Sequence, residues 1–521
     1  MKKRILSLLI TVFVLTSILD FVTAATYYVS PTGLSTAAGT VSNPLNFTTA
    51  IAKALVAGDS VIIRGGFYSF SSLQTISKSG TSVNYIHFVS YPGEIPILDF
   101  RTQSYYSSNQ GVKVGGNYVH VKGITVQGAG DNGMQVTGSN NLIEKCNFRW
   151  NCDSGLQMKT GSNNLILNCD SYENFDYQSG GISSPDFGGN ADGFADKQYS
   201  NTGTNTYNGC RSWKNSDDGW DSYEKIGNTV YVNSWCYANG PLTYDMTDNI
   251  RFKTDSAAWF YQFKNTSGRY LMTNYGNGNG FKLGGNYTAN NATLHNCVSV
   301  GNKVKGFDQN NNDGTMILYN CTGYNNKNNY GFSISSYGTL IIKNCASLNS
   351  ISSNSFSCKS VTQTYNTWNV GFSCVTGDFL SLDYLTMLND RQSDGALPEI
   401  TFLHLKSTSG MIDKGTNVGL PFLGSAPDLG AFEYNTLTTV SSVQSSDPDI
   451  SIFYWRGNHE ITVLGLINRV EVFQLSGQKI FAQLVSTENM SIPTNNWTKG
   501  IYLVRALSQY GIYSAKKVLV D

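Results

Sequence analysis

The chain has 521 residues with 36 basic and 36 acidic side chains, and charged residues make up only 14%, against roughly 25% in a typical globular protein. That balance excludes a charge-rich disordered chain, which needs low hydrophobicity and high net charge. It also argues against a nucleic-acid partner, because no basic excess exists to displace counterions.

Residues 1–24 read as a secretory signal peptide. Lys2, Lys3 and Arg4 precede the apolar run ILSLLITVFVLTSI, and Val22 and Ala24 form a small-residue cleavage site. Asp20 interrupts the run before it reaches the ~20 apolar residues a membrane span needs. A short stretch at 48–56 has helical character and is expected to cap the stack of coils.

The body carries a repeat. Cys146, Cys169, Cys210, Cys236, Cys297, Cys321 and Cys345 recur in similar frames such as ILNC, LHNC and LYNC, most steps lying near 24 residues. Short β-rich segments with Asn, Gly and Asp turns at that period predict a parallel β-helix. Coils stack about 4.8 Å apart, wider than the ~3.8 Å between Cβ atoms that a disulfide prefers. The cysteine column is therefore expected to be an interior ladder of reduced thiols.

A second column begins at a glycine in DNGMQV (131–136), DSGLQM (153–158), ADGFAD (191–196), DDGWDS (217–222), NGFKLG (279–284), KGFDQN (305–310) and YGFSIS (330–335). The residue after Gly is Met134, Leu156, Phe194, Trp220, Phe281, Phe307 or Phe332, so that column points inward. Alternation then turns the next column outward: Gln135, Gln157, Ala195, Asp221, Lys282, Asp308 and Ser333.

The same register makes Asp192 and Asp218 equivalent on consecutive coils, with Asp217 and Asp221 beside them. Four carboxylates are expected on one patch. Like charges about 5 Å apart repel by about 3 kcal/mol at an effective dielectric of 20, so the patch calls for a cation. All-oxygen ligation points to Ca²⁺. If the irregular aromatic insertion at 241–276 is a loop thrown out of one coil, Lys282 falls on the coil after Asp221 and in the same outward column. A Lys beside a metal-binding acidic patch is placed to meet an acidic substrate. Arg251, Lys253 and Lys305 are further candidates to contact that substrate.

After a Ser/Thr-rich linker at 435–449, short alternating strands predict a small β-sandwich over 450–521.

The runs NADGFADKQ (190–198), CRSWKNSDDGWDSYE (210–224), NGNGFKLGGN (277–286) and KGFDQNNN (305–312) resemble polysaccharide lyase family 9. The resemblance covers residues 26–434. It implies a right-handed parallel β-helix and a Ca²⁺-dependent pectate lyase, with Asp192, Asp217, Asp218 and Asp221 as metal ligands and Lys282 as base. One departure is Ala195–Lys197, where a Gly-Pro-Lys-like turn is expected. The LSGQKI turn, the KGIYLVR strand (499–505) and the terminal KKVLV resemble type IX secretion sorting domains. The expectation is thus a secreted or cell-surface, monomeric enzyme acting on an acidic polysaccharide, with secretion machinery as its other partner and an alkaline optimum set by the lysine base.

Three alternatives stand beside it. A rhamnogalacturonan lyase would use the same residues. A pectinolytic hydrolase needs paired carboxylates acting on water, and resemblance to that family would imply a G-H-G element, which the five histidines do not supply. A non-catalytic, Ca²⁺-stabilised glycan-binding solenoid would not need Lys282.

Overall fold

The computed structural model describes residues 24–105, 107–176, 187–199, 203–240, 243–245, 271–273, 276–371, 374–434, 450–455, 459–474, 479–508 and 513–520. Residues 1–23 of the expected signal peptide, the linker, Arg251, Lys253 and most of the 241–276 insertion lie outside these residues. The insertion's two ends, Thr243–Asp245 and Leu271–Thr273, pair as an antiparallel ribbon.

Among the described residues, three parallel sheets of 12, 10 and 10 strands wind as a right-handed β-helix. Each coil visits the first sheet, then the third, then the second, which carries the acidic column. The six-residue helix Phe47–Ala52 caps the N-terminal end, burying Phe47, Ala50 and Ile51. Its N-cap Asn46 accepts a hydrogen bond from the Thr49 N–H.

The corners explain the period. Lys145, Asn168, Gly209, Asn233, Asn296, Asn320 and Asn344 all have positive φ at the exit from the first sheet. Asn and Gly tolerate this left-handed conformation best. The next residue turns inward. Its thiol donates to carbonyl oxygens, as from Cys146 to Glu144 O at 3.3 Å and from Cys169 to Ile143 O at 3.4 Å. Cys236 is the exception to the expected ladder. Ser234 follows the left-handed Asn233 and takes the ladder position, donating to Val232 O at 3.0 Å. Cys236 lies on the third sheet between Ser212 and Ser299.

All ten cysteines are free thiols, nine of them buried. Burial pushes the Cys236 thiol up to about 12. A thiol reagent at pH 8 is expected to find the ladder silent in the native protein and to titrate ten thiols once it is denatured. Fewer than ten under denaturing, non-reducing conditions would mean that disulfides form.

The inward column of the second sheet is an aromatic stack. Centroid separations are 5.2 Å for Phe194–Trp220, 4.5 Å for Trp220–Phe281, 5.3 Å for Phe281–Phe307 and 5.1 Å for Phe307–Tyr330. The last step corrects the expected register. Tyr330, not Phe332, lies opposite Phe307, so Gly331 rather than Ser333 follows Asp308 outward.

The outer face of the third sheet is covered by the irregular segment 376–434. Its Phe379, Met387, Phe402, Leu405 and Met411 pack on Trp235, Val298, Val300, Tyr324 and Leu348. At the C-terminus, strands Ser451–Trp455, Glu460–Gln474, Lys479–Pro493, Gly500–Ser508 and Tyr513–Val520 form an antiparallel sheet. Register shifts near Ile467 interrupt its long hairpin, and the sheet buries a core of its own that includes Ile461, Val463, Val472, Tyr502 and Val504.

Candidate active site

The acidic residues stand where each coil turns from the third sheet into the second. That turn is fixed by a buried asparagine ladder, which the sequence reading missed. Asn151, Asn174, Asn215, Asn239 and Asn302 each donate side-chain N–H to the Asn Oδ1 of the next coil, at 2.8–3.0 Å. The signal was an Asn following the last third-sheet residues by two positions, just after another left-handed residue such as Lys214 or Ala238. Close packing explains the glycine that follows. A Cβ at Gly193 would lie 2.0 Å from Ser212 Oγ and 2.7 Å from Gly219 O.

Within this frame Asp192, Asp218 and Asn279 form one column. The Asp218 N–H donates to Asp192 Oδ1 at 3.2 Å, and the Asn279 N–H donates to Asp218 Oδ1 at 2.6 Å. Ser154 Oγ closes the near end, donating to Asp192 Oδ2 at 2.9 Å. On the strands themselves, Ala195, Asp221, Lys282 and Asp308 are direct neighbours in register.

Carboxylate oxygens of Asp192, Asp218 and Asp221 lie within 4.8 Å of one another, all buried. Asp217 is buried beside them but outside that trio, and its Oδ1 accepts the Asn277 N–H at 2.8 Å. Two ammonium groups neutralise part of this charge. Lys282 Nζ stands 3.1 Å from Asp218 Oδ2 and 3.3 Å from Asp221 Oδ1. Lys197 Nζ stands 3.1 Å from Asp192 Oδ2 and 2.8 Å from Asp221 Oδ2.

The titration of these groups follows from that crowding. Burial pushes Asp192 up to about 7, aided by Asp221 and Asp218 and opposed by Lys197. Burial also works to raise Asp221, but Lys197 and Lys282 hold it below the usual carboxylate range. Burial pulls the Lys282 ammonium down, yet Asp218, Asp221, Asp217 and Asp192 together push it well above an ordinary lysine.

The donor set fits a hard divalent cation. Two oxygens bound to one Ca²⁺ at 2.3–2.6 Å are at most about 5 Å apart, and the trio meets that limit. Asp218 Oδ2 is buried and faces the Lys282 ammonium at 3.1 Å without a well-aligned hydrogen bond. A carboxylate oxygen left this way favours a cation over an empty site.

Lys305 is not drawn into the patch. Its ammonium binds Asp308 Oδ1 at 2.7 Å. Lys197 is the contact that spacing did not reveal. Three exposed rings were also missed: Tyr199, Tyr223 and Tyr287 lie on turns following Phe194–Asp196, Trp220–Asp221 and Phe281–Lys282. Tyr223 places its ring 5.5 Å from Lys282 Nζ.

Comparison with known proteins makes this solenoid a polysaccharide lyase. Residues 27–354 match the family described as Pel9A-like, right-handed beta helix region, and residues 456–521 match the secretion system C-terminal sorting domain. The chain belongs to that Pel9A-like family, polysaccharide lyase family 9, and carries a type IX sorting tail. Pectate lyase L of Dickeya chrysanthemi is 36% identical over 420 residues, spanning 78% of this chain and 90% of that protein. The crystal structure of pectate lyase Pel9A superposes with a TM-score of 0.67 at 34% identity, over 79% of this chain and 97% of the other. A rhamnogalacturonan lyase shares the fold, with a TM-score of 0.62 at 24% identity over 74% and 97% of the two chains. The sorting domain makes this a secreted or cell-surface protein.

Proposed function

We propose that the protein is a calcium-dependent pectate lyase that cleaves α-1,4-linked galacturonan by β-elimination. The observation that carries this reading is the position of Lys282. It is the register neighbour of Asp221 and lies within 3.3 Å of two of the three clustered carboxylates. Asp192, Asp218 and Asp221, with Asp217 beside them, would hold Ca²⁺. When bound, the ion supplies Lewis acidity toward the uronate carboxylate, which acidifies the C5–H bond and stabilises the enolate-like charge.

Lys282 acts on that proton. Its neutral amine takes the C5 proton, the electron pair forms the C4–C5 double bond, and the C4–O bond breaks. The departing oxygen takes a proton from solvent, leaving an unsaturated uronide. Lys197 pairs with Asp192 and Asp221 and holds those carboxylates in place. Tyr199, Tyr223 and Tyr287 offer ring faces to neighbouring sugars, and Arg251, Lys253 and Lys305 are kept as contacts for flanking uronates. Residues 1–24 are proposed to be removed on export. The catalytic unit is proposed to span 25–434 and to act as a monomer, with 450–521 engaging the secretion machinery.

The test is ultraviolet absorbance of the unsaturated product from polygalacturonate and, separately, from rhamnogalacturonan, with and without EDTA. Activity on polygalacturonate is expected to vanish with EDTA and to return with excess Ca²⁺. The β-helix circular dichroism should persist throughout. Product lacking the double bond, or activity indifferent to chelation, would refute the proposal.

A further inference from the structure

We propose that His87 and His120 form a second metal site, for a borderline divalent transition metal, on the outer face of the first sheet. The two residues are direct neighbours in register on the parallel strands Ile86–Ser90 and Val119–Lys122. Ile86, Phe88, Val119 and Val121 are fully buried, so alternation turns both imidazoles outward, where each is partly exposed. This is a different face of the solenoid from the acidic trio, and it lies on earlier coils.

The geometry is that of a chelating pair. The two Nδ1 atoms face each other at 3.2 Å, with ring planes 76° apart. Two imidazole nitrogens bound to one tetrahedral Zn²⁺ at 2.0–2.1 Å are about 3.3 Å apart. The existing separation matches that spacing, so the two nitrogens need little translation to take up an ion in place of the hydrogen bond between them.

The second observation is the carboxylate behind His120. Its Nε2 lies 2.9 Å from Glu144 Oε2. Glu144 is held in turn by Lys122 Nζ at 3.1 Å and by Lys145 Nζ at 4.0 Å. A carboxylate accepting the Nε2 proton leaves the Nδ1 lone pair of His120 directed at His87. This carboxylate–histidine arrangement is the one that orients and fixes the tautomer of metal-ligating imidazoles. Burial and the neighbouring His120 lower the pKa of His87, which favours the neutral, ligating form.

With two protein nitrogens, the remaining positions go to water. Nitrogen ligands of intermediate softness select Cu²⁺, Ni²⁺ and Zn²⁺ over Ca²⁺, with Cu²⁺ bound tightest of the three. Such an ion clips two successive coils together near the N-terminal end of the solenoid. The site stands independently of the lyase reading.

Zn²⁺ is the practical probe, titrated calorimetrically into the full-length chain held in saturating Ca²⁺ so that the acidic trio is occupied. One zinc per chain is expected, together with a zinc-dependent rise in thermal midpoint. His87→Ala and His120→Ala should each abolish both. Glu144→Gln should weaken binding at least 10-fold, as loss of an outer-shell carboxylate does. Enzyme activity should be unchanged in all three. Where an alanine variant folds poorly, His87→Gln and His120→Gln replace it. No zinc-dependent heat or midpoint shift in the native chain would overturn the site, leaving only a hydrogen-bonded histidine pair. Zinc binding of native affinity in the double variant His87→Gln/His120→Gln would overturn it equally.

Discussion

Replacing Lys282 by alanine is expected to lower kcat on polygalacturonate by roughly 10²–10⁴-fold, the usual contribution of a positioned general base. KM should change far less, because the cation ligands remain. Lysine 282 has two separable parts to play, and two variants distinguish them. As a counterion it offsets Asp218 and Asp221 at 3.1 and 3.3 Å. As a base it must give up its proton. Lys282→Arg keeps the positive charge but cannot be deprotonated in this range. It should therefore lose activity as fully as the alanine variant while preserving the apo protein's stability. Lys282→Ala should instead destabilise the apo form, since buried carboxylates lose a partner. If Lys282→Arg retained substantial turnover, the lysine would be a counterion only. The rate is also expected to climb with pH, because only the neutral amine reacts and an unperturbed lysine is protonated at neutral pH. A profile peaking below about pH 6 would contradict the assignment, given an unperturbed lysine pKa near 10.4.

The repeat and the acidic column were legible because two independent periods agreed. Alternation along each strand separated Trp220 from Asp221 and Phe281 from Lys282, and the coil period stacked those pairs. A single marker residue does not fix the register. Gly331 looks like the other column glycines, yet it occupies an outward position. The Lys305 stem lies across it, so that a Cβ there would fall 2.4 Å from Lys305 Cδ. Tyr330 and Phe332 are both fully buried, so hydrophobicity alone fits either register. Cys236 misled for a similar reason: the corner is marked by the left-handed Asn233, and chemistry at position 234 matters less than its place. Lys197 was invisible to spacing, since its contact depends on how the chain leaves the strand Phe194–Asp196. The covered third sheet was hidden because Val298 and Val300 read as ordinary strand residues. Nothing local says that Phe402 and Met411, about a hundred positions later, lie over them.

That cover leads to the second large effect. Asp170→Ala is expected to cost about 3–5 kcal/mol, the usual consequence of removing one partner from a buried ionic cluster. Asp170 is buried on the third sheet and receives two arginines. Arg211 donates to it from Nε at 2.9 Å and from Nη2 at 2.7 Å, while Arg391 donates from Nη2 at 2.6 Å. Burial works to raise the Asp170 pKa, but Arg391 and Arg211 hold it below the usual carboxylate range. Both arginines also clamp the covering segment. Arg211 Nη1 donates to Met387 O and Asn389 O, each at 2.8 Å, and Arg391 Nη1 donates to Gly209 O at 2.9 Å. Removing the carboxylate leaves two guanidinium groups confined with no anion between them. The segment, which has little regular backbone pairing of its own, should then detach before the coils do. Solenoid coils contact chiefly their neighbours, so the damage should stay local. Hydrogen exchange at 376–434 should accelerate in Asp170→Ala, while the coils around Lys282 keep native protection and the enzyme keeps its activity at low temperature. A variant with native exchange across 376–434 would show that apolar packing of Phe379, Met387 and Phe402 holds the cover without the ionic clamp.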